Sequence, residues 1–203
     1  MRLVLLTLPL ALAVGTLAGG RISRLPSLPF RWVALVPAGV ALQFVPMSGS
    51  GGALLLIASF ALLCAFAARN LGLAGFPLIL LGLLLNLTVI GLNNGMPVSK
   101  TALIRSGQSS TLAALRSHGG SKHHLATNQD ELLPLGDVLA LPPPVRQAIS
   151  VGDIATHAGI VWLIVWGMLR TPTPLRGPGS ENGDGHPDPA SEPRLIGAAQ
   201  EDS

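Results

Sequence analysis

The sequence predicts an all-α fold: a polytopic membrane bundle of about five transmembrane helices, with a small extracytoplasmic helical cap and a disordered C-terminal tail. Three observations carry that expectation. Of 203 residues, 49% are hydrophobic and 11% are charged, far below the roughly 25% charged residues of an ordinary soluble domain. The apolar residues gather into five runs, at about 3–18, 32–47, 53–68, 76–92 and 149–169, each near the short end of the roughly 17–25 residues that a span requires. The composition then changes: residues 1–169 hold ten Lys/Arg against four Asp/Glu, whereas residues 170–203 hold three against six and almost no large apolar side chain. A transmembrane domain over 1–169, with its cap at 93–148, is therefore expected to precede a disordered cytoplasmic tail over 170–203. The pI near 10.0 comes from scattered loop arginines. Without a basic cluster it points away from nucleic acid. Cys64 is the one cysteine, which excludes an intrachain disulfide.

The first run, from Leu3 to Ala18, follows Arg2. A secretory signal peptide cleaved at Thr16-Leu17-Ala18 is the rival reading, but the arginines that follow favour a retained helix with its N-terminus outside. Ala11, Gly15 and Gly19 recur every four residues, a stripe along which a neighbouring helix can approach closely. After Arg21, Arg24, Pro26, Pro29 and Arg31 comes the run from Trp32 to Met47, in which Pro37 predicts a bend. The third run follows the uncharged turn Gly49-Ser50-Gly51-Gly52 and ends at Arg69-Asn70; the fourth is Phe76 to Leu92; the fifth carries Trp162 and Trp166 toward its far end.

Loop charge sets the orientation. Arg21, Arg24, Arg31, Arg69 and Arg170 fall on one side if the N-terminus is outside and the C-terminus inside. The long connection at 93–148 carries Lys100, Arg105, Arg116, Lys122 and Arg146, but its length weakens the vote of those charges. It also carries helix signals. Ser99 can cap a short helix ending at Gly107, Ser109 or Ser110 another ending near Gly119-Gly120, and Thr127 with Asp130 has capping-box spacing.

The residues able to do chemistry gather at the outer ends of the fourth and fifth runs. Gly136-Asp137 and Gly152-Asp153 flank the turn Pro142-Pro143-Pro144, and a carboxylate at the mouth of a span is by default a candidate functional group. Asp153 also completes a capping box, Ser150-Val151-Gly152-Asp153, and shares a helix face with His157, four residues on. Asn86 and Asn93 share a face two turns apart; Asn86 suits an interhelical hydrogen bond, and Asn93-Asn94-Gly95 suits a helix C-terminus. In Lys122-His123-His124 the adjacent rings diverge, and the chain lacks the spaced His/Cys/Glu set of a zinc site, so no metal or cofactor is expected.

The run Leu92-Asn93-Asn94-Gly95-Met96-Pro97-Val98-Ser99, then Lys122-His123, Leu135-Gly136-Asp137-Val138 and Ser150-Val151-Gly152-Asp153-Ile154, resembles an uncharacterised bacterial membrane-protein family, domain of unknown function five-three-one-seven. The resemblance includes Gly19-Gly20-Arg21 and covers roughly residues 1–169. Asn94-Gly95-Met96 departs from that family's pattern, in which a glycine pair and one more residue precede Met-Pro-Val-Ser. Membership implies a bacterial plasma-membrane protein with no established activity. A weaker resemblance is to lipoprotein signal peptidases, which place an asparagine, an aspartate after a hydrophobic turn, and a second aspartate entering the last span. Asn86 or Asn93, then Asp137, then Asp153 with Ile154 and Gly159 follow that order. Ser-Val-Gly in place of a Phe-Asn pair, the missing arginine motif and an extra span depart from it.

The leading expectation is an extracytoplasmic polar pocket at Asn93, Asp137, Asp153 and His157, with Asn86, Asn94, Ser99, Lys122 and His123 as further ligand-binding candidates for a small molecule or peptide. An aspartyl peptidase with Asp137 and Asp153 as its catalytic dyad, and a non-catalytic structural or partner-binding subunit, are the alternatives. In all three the lipid bilayer is a partner.

Overall fold

The computed structural model describes residues 2–47, 50–118, 120 and 122–170. Apart from Arg170, the tail expected to be disordered lies outside them. The described residues are mostly helical: α1 (Arg2–Leu17), α2 (Leu35–Phe44), α3 (Ser50–Arg69), α4 (Phe76–Asn93), α5 (Lys100–Arg105), α6 (Ser109–His118) and α7 (Val151–Leu169). Five apolar helices stand on the five predicted runs. Of these α3, α4 and α7 are long and apolar enough to cross a membrane, with mean hydropathies of 2.3, 2.0 and 1.4, while α1 and α2 are shorter. Pro37 falls in the first turn of α2, where a missing N–H forfeits no helical hydrogen bond. The bend expected within the second run thus gives way to a later helix start, after a left-handed Trp32 with φ 57°.

The central contact of the bundle is α4 against α7, with α1 on α7, α3 on α4 and α2 on α3. The closest approach needs glycine. A Cβ at Gly82 would run into the Gly152 carbonyl and the Thr156 hydroxyl of α7, so the missing side chain lets the two backbones meet. The small-residue stripe of α1 does this partly: Ala11 is buried and Gly15 abuts Met168, whereas Gly19 takes φ 83° in the following turn, where a side chain would meet no neighbour. Phe76, Ile79, Leu83 and Leu163 fill the centre together with Leu28, Cys64 and Ala67. The outside is apolar too, with Leu5, Leu17, Leu54, Leu81 and Leu92 at least half exposed, a surface suited to lipid rather than water.

The two ends of the bundle differ. At one end Arg24 donates to the carbonyls of Met168 and Leu169 at 3.2 and 3.1 Å, closing the C-terminus of α7. Arg69 lies over Trp32 and Arg170 over Trp166. The other end, where α2 and α4 finish and α7 begins, carries the cap.

The cap is not purely helical. Besides α5 and α6 it has two small sheets: β1 (Met96–Val98) parallel to β2 (His123–Leu125), and β3 (Leu139–Leu141) antiparallel to β4 (Gln147–Ile149). Strands of three residues are too short to print an alternating pattern on the sequence. Ser99 caps α5 as expected, accepting from the N–H of Ala102, and α6 spans the second predicted piece. Thr127 and Asp130 make the hydrogen bonds their spacing suggests, but they close a turn, and only a single 3-10 turn, Leu133–Leu135, follows instead of an α-helix. Val98, Ala102, Leu103, Leu112 and Ala148 give the cap a small core of its own.

Candidate functional site

Asp153 is held by a closed ring of hydrogen bonds between α4 and α7. The Asn86 amide donates to Asp153 Oδ1 at 2.8 Å, the Ser150 N–H donates to Oδ2 at 3.2 Å, the Asp153 N–H donates to Ser150 Oγ at 2.9 Å, and the Ser150 hydroxyl donates to Asn86 Oδ1 at 2.8 Å. The capping box read from the sequence is present. So is the interhelical role of Asn86, which is 2% exposed. Ser150 has a non-helical backbone with its hydroxyl free to serve the first turn, which is why this residue type starts the helix here. Asp153 and His157 share a face but no hydrogen bond. His157 Nδ1 lies 3.0 Å from the hydroxyl of Thr7, which itself donates to the Leu3 carbonyl at 2.9 Å.

Asp137 is placed by backbone, not by its side chain. Its N–H donates to the Pro97 carbonyl and its carbonyl accepts from Ser99, both at 3.0 Å, forming a bridge beside Val98. The residue is 9% exposed, and its carboxyl has no hydrogen-bond partner among the described residues. Burial, and then the negative charge of Asp153, push it well above the usual carboxylate range. It lies in the wall of an open cavity of about 530 Å³ in the cap, with His123, Gln108, Thr111, Arg146 and Gln147. His123 keeps accessible surface because it faces this cavity, yet protein surrounds it. That desolvation pushes its imidazole below the usual histidine range, against the opposing pull of Asp153.

The single pocket expected at Asn93, Asp137, Asp153 and His157 is therefore divided. Asp137 and His123 line the cap cavity, whereas Asn86, Asp153 and His157 line a second, mainly apolar cavity of about 640 Å³ inside the bundle. Asn93 belongs to neither. Its amide donates to the carbonyls of Val89 and Glu131, and its oxygen accepts from the Glu131 N–H. Asn94 is the left-handed C-terminal residue of α4, with φ 51°, and Gly95 follows at φ 144°. Lys122 donates to the carbonyls of Leu42, Gln43 and Val45 at 3.3, 2.6 and 2.7 Å, so its charge closes the C-terminus of α2 instead of facing a ligand. His124 turns away from its neighbour to pair with Asp130 at 2.8 Å.

Sequence reasoning missed Thr7, Arg146 and Gln147. Thr7 was findable as a polar side chain within an apolar run. Gln147 lines both cavities and accepts the Leu3 N–H at 3.1 Å, and nothing in the run Val145-Arg146-Gln147 signals that position. Among the described residues no three His, Cys, Asp or Glu side chains converge as a metal would require.

An apolar exterior and three helices of spanning length, with charged groups at the two ends of the bundle, define a membrane protein. The chain belongs to the family of unknown function (DUF5317), whose model matches residues 27–165. The match begins after α1 and after Gly19-Gly20-Arg21, so it covers less than the whole bundle. No curated protein and no solved structure matches it.

Proposed function

We propose that this chain is a multi-pass protein of the bacterial plasma membrane, N-terminus outside and C-terminus in the cytoplasm, that binds an acceptor-rich small molecule or peptide in its cap cavity. One observation carries the reading: Asp137, a residue nine-tenths buried, stands in the cavity wall with its carboxyl facing the cavity and no hydrogen-bond partner among the described residues. The protonated acid is a donor that no protein group uses, and a ligand acceptor in the cavity satisfies it. Arg146 in the same wall suits a carboxylate or carbonyl on that ligand. The test uses the full chain in detergent and short free and N-acetylated dipeptides as probes. Thermal stabilisation by the probes is expected, lost in Asp137→Leu and weakened in Arg146→Gln. No shift with any probe, or a shift that survives both substitutions, would remove the cap-binding reading.

The orientation is supported by Arg21, Arg24, Arg31, Arg69 and Arg170, which lie in the connections and helix ends remote from the cap. With Gln108→Cys and Ser180→Cys, an impermeant thiol reagent on intact cells is expected to label position 108 and not 180. The reverse pattern would put the cap in the cytoplasm.

A second reading, an aspartyl peptidase, is favoured only by the action of the Asp153 charge on Asp137. Both Asp153 oxygens already accept hydrogen bonds, and the two carboxylates line different cavities. A shared proton and one flanked water would need them to converge. Cleavage of a lipoprotein precursor, abolished by either Asp→Asn change, would restore it.

A further inference from the structure

The second cavity, inside the bundle, is built for a different molecule. Its walls are apolar, from Val33 and Val40 through Leu63 and Phe76 to Ile79 and Leu163, and its polar residues lie toward the cap end, where α2 and α4 finish and α7 begins. At about 640 Å³ it falls within the roughly 300–1,000 Å³ of ligand cavities. Because α1 packs on α7 and α2 on α3, the side between α1 and α2 is the one left open. That opening lies among helices whose outer faces are apolar, so the route in is from lipid.

The polar end offers acceptors at Asp153 and His157, beside the buried Thr156 hydroxyl, which has no partner among the described residues, and the Gln147 amide. Asp153 takes its hydrogen bonds from neutral donors, the Asn86 amide and the Ser150 N–H, and no Lys or Arg pairs with it among the described residues. A carboxylate oxygen has room for a second donor. Thr7 has one hydroxyl proton and gives it to Leu3, so Nδ1–H of His157 is the donor to Thr7. In neutral imidazole that leaves Nε2 as an acceptor, and Nε2 has no donor among the described residues. A carboxylate and an imidazole acceptor at the head of an apolar cavity ask for a group that is cationic and donates several hydrogen bonds. We propose that this cavity binds an amphiphile consisting of one alkyl chain and a primary ammonium head, the head at Asp153 and His157 and the chain running between α3, α4 and α7 away from the cap.

The probe is a photoreactive long-chain alkylamine, applied to the full chain in nanodiscs of zwitterionic lipid, with labelled positions mapped by mass spectrometry. Labelling is expected at cavity residues such as Phe60, Leu63, Ile79, Leu83 and Ile160. Dodecylamine is expected to compete at least tenfold better than dodecanoate. Asp153→Asn is expected to lower labelling about tenfold. Ile160→Trp, which fills the cavity and leaves the head groups intact, is expected to lower it similarly and keeps the test open if Asp153→Asn folds poorly. Labelling confined to outward residues such as Leu5, Leu54 and Leu81 would mean bulk lipid contact and would overturn the site. Equal competition by dodecanoate would overturn the ammonium head, and labelling indifferent to both substitutions would overturn the assignment of the cavity.

Discussion

Asp137 and Asp153 are the same residue type at the same end of the molecule, each preceded by glycine, yet their surroundings are opposite. Asp153 is satisfied from two sides by Asn86 and Ser150 and fastens α4 to α7. Asp137 is fixed by its backbone, and its carboxyl faces the cap cavity with no hydrogen-bond partner among the described residues. A buried polar group that is fully partnered holds a fold together, whereas one left unpartnered lowers stability. The difference separates a structural aspartate whose remaining lone pairs face a bundle cavity from an aspartate whose whole side chain is uncommitted.

The largest effect that would test this contrast is expected from the partner, not from either acid. Asn86→Leu removes the donor to Asp153 and the acceptor of the Ser150 hydroxyl in one change. A cost of about 2–4 kcal/mol in detergent unfolding is expected, since a charged and a neutral group both lose a buried partner. A cost below about 1 kcal/mol would mean that water replaces the amide and the ring does not hold the helices.

Asp137→Asn is expected to go the other way. The folded-state pKa of Asp137 is raised, so the native protein holds this proton more tightly than the unfolded chain does. Its contribution is complete below the unfolded carboxylate value of about 3.9 and is lost as pH rises through the folded pKa. The amide does not ionise, so the variant is expected to match the parent in acid and exceed it increasingly toward pH 8. A parent that gains stability relative to the variant as pH rises would show the carboxylate to be charged and well partnered.

The part of the contrast legible in sequence was the part written in local spacing. Ser150 and Asp153 stand at capping-box distance, Asn94-Gly95 at a helix end, and Ser99 before a short helix, and all three do what those patterns dictate. The five apolar runs became five apolar helices because burial in a bundle needs only a helical stripe. What could not be read depends on contacts distant in the chain. Lys122 is spent on the end of α2, His157 on Thr7 of α1, and Asp137 on a bridge with β1. The division of one polar corner into two cavities rests on Gln147 and on the register of three-residue strands, which leave no periodic trace.

A smaller effect measures how far the two acids sense each other. Asp153→Asn is expected to cost about 0.5–1 kcal/mol through the weakened box and helix-dipole interaction. Because the Asp153 charge helps raise the Asp137 pKa, removing it also eases the ionisation of Asp137. In a double-mutant cycle at pH 8 the two Asp→Asn changes are therefore expected to miss additivity by more than about 0.3–0.5 kcal/mol. At pH 4, with Asp137 protonated, the coupling is expected to shrink. Additivity at both values would leave the aspartyl-dyad reading without its one supporting observation.

The smallest effect supplies a control inside the cap. Asp130 accepts from the Thr127 N–H and hydroxyl and pairs with His124. Burial alone would raise its pKa, but these hydrogen bonds outweigh it and hold the carboxyl below its usual range. The sign is then opposite to that of Asp137: the contribution is present above the unfolded carboxylate value and is lost as pH falls through the depressed one. Asp130→Asn is expected to cost on the order of 1 kcal/mol near neutral pH, with the difference from the parent vanishing in acid. As pH rises from 4 to 8, Asp137→Asn thus climbs above the parent while Asp130→Asn keeps a nearly constant deficit that closes only as pH falls below about 4, and unfolding midpoints measured on both sides of that value read the two behaviours. If the two variants instead moved in parallel, a general charge effect of the basic cap would explain them, and the unpartnered state of Asp137 would lose its thermodynamic support.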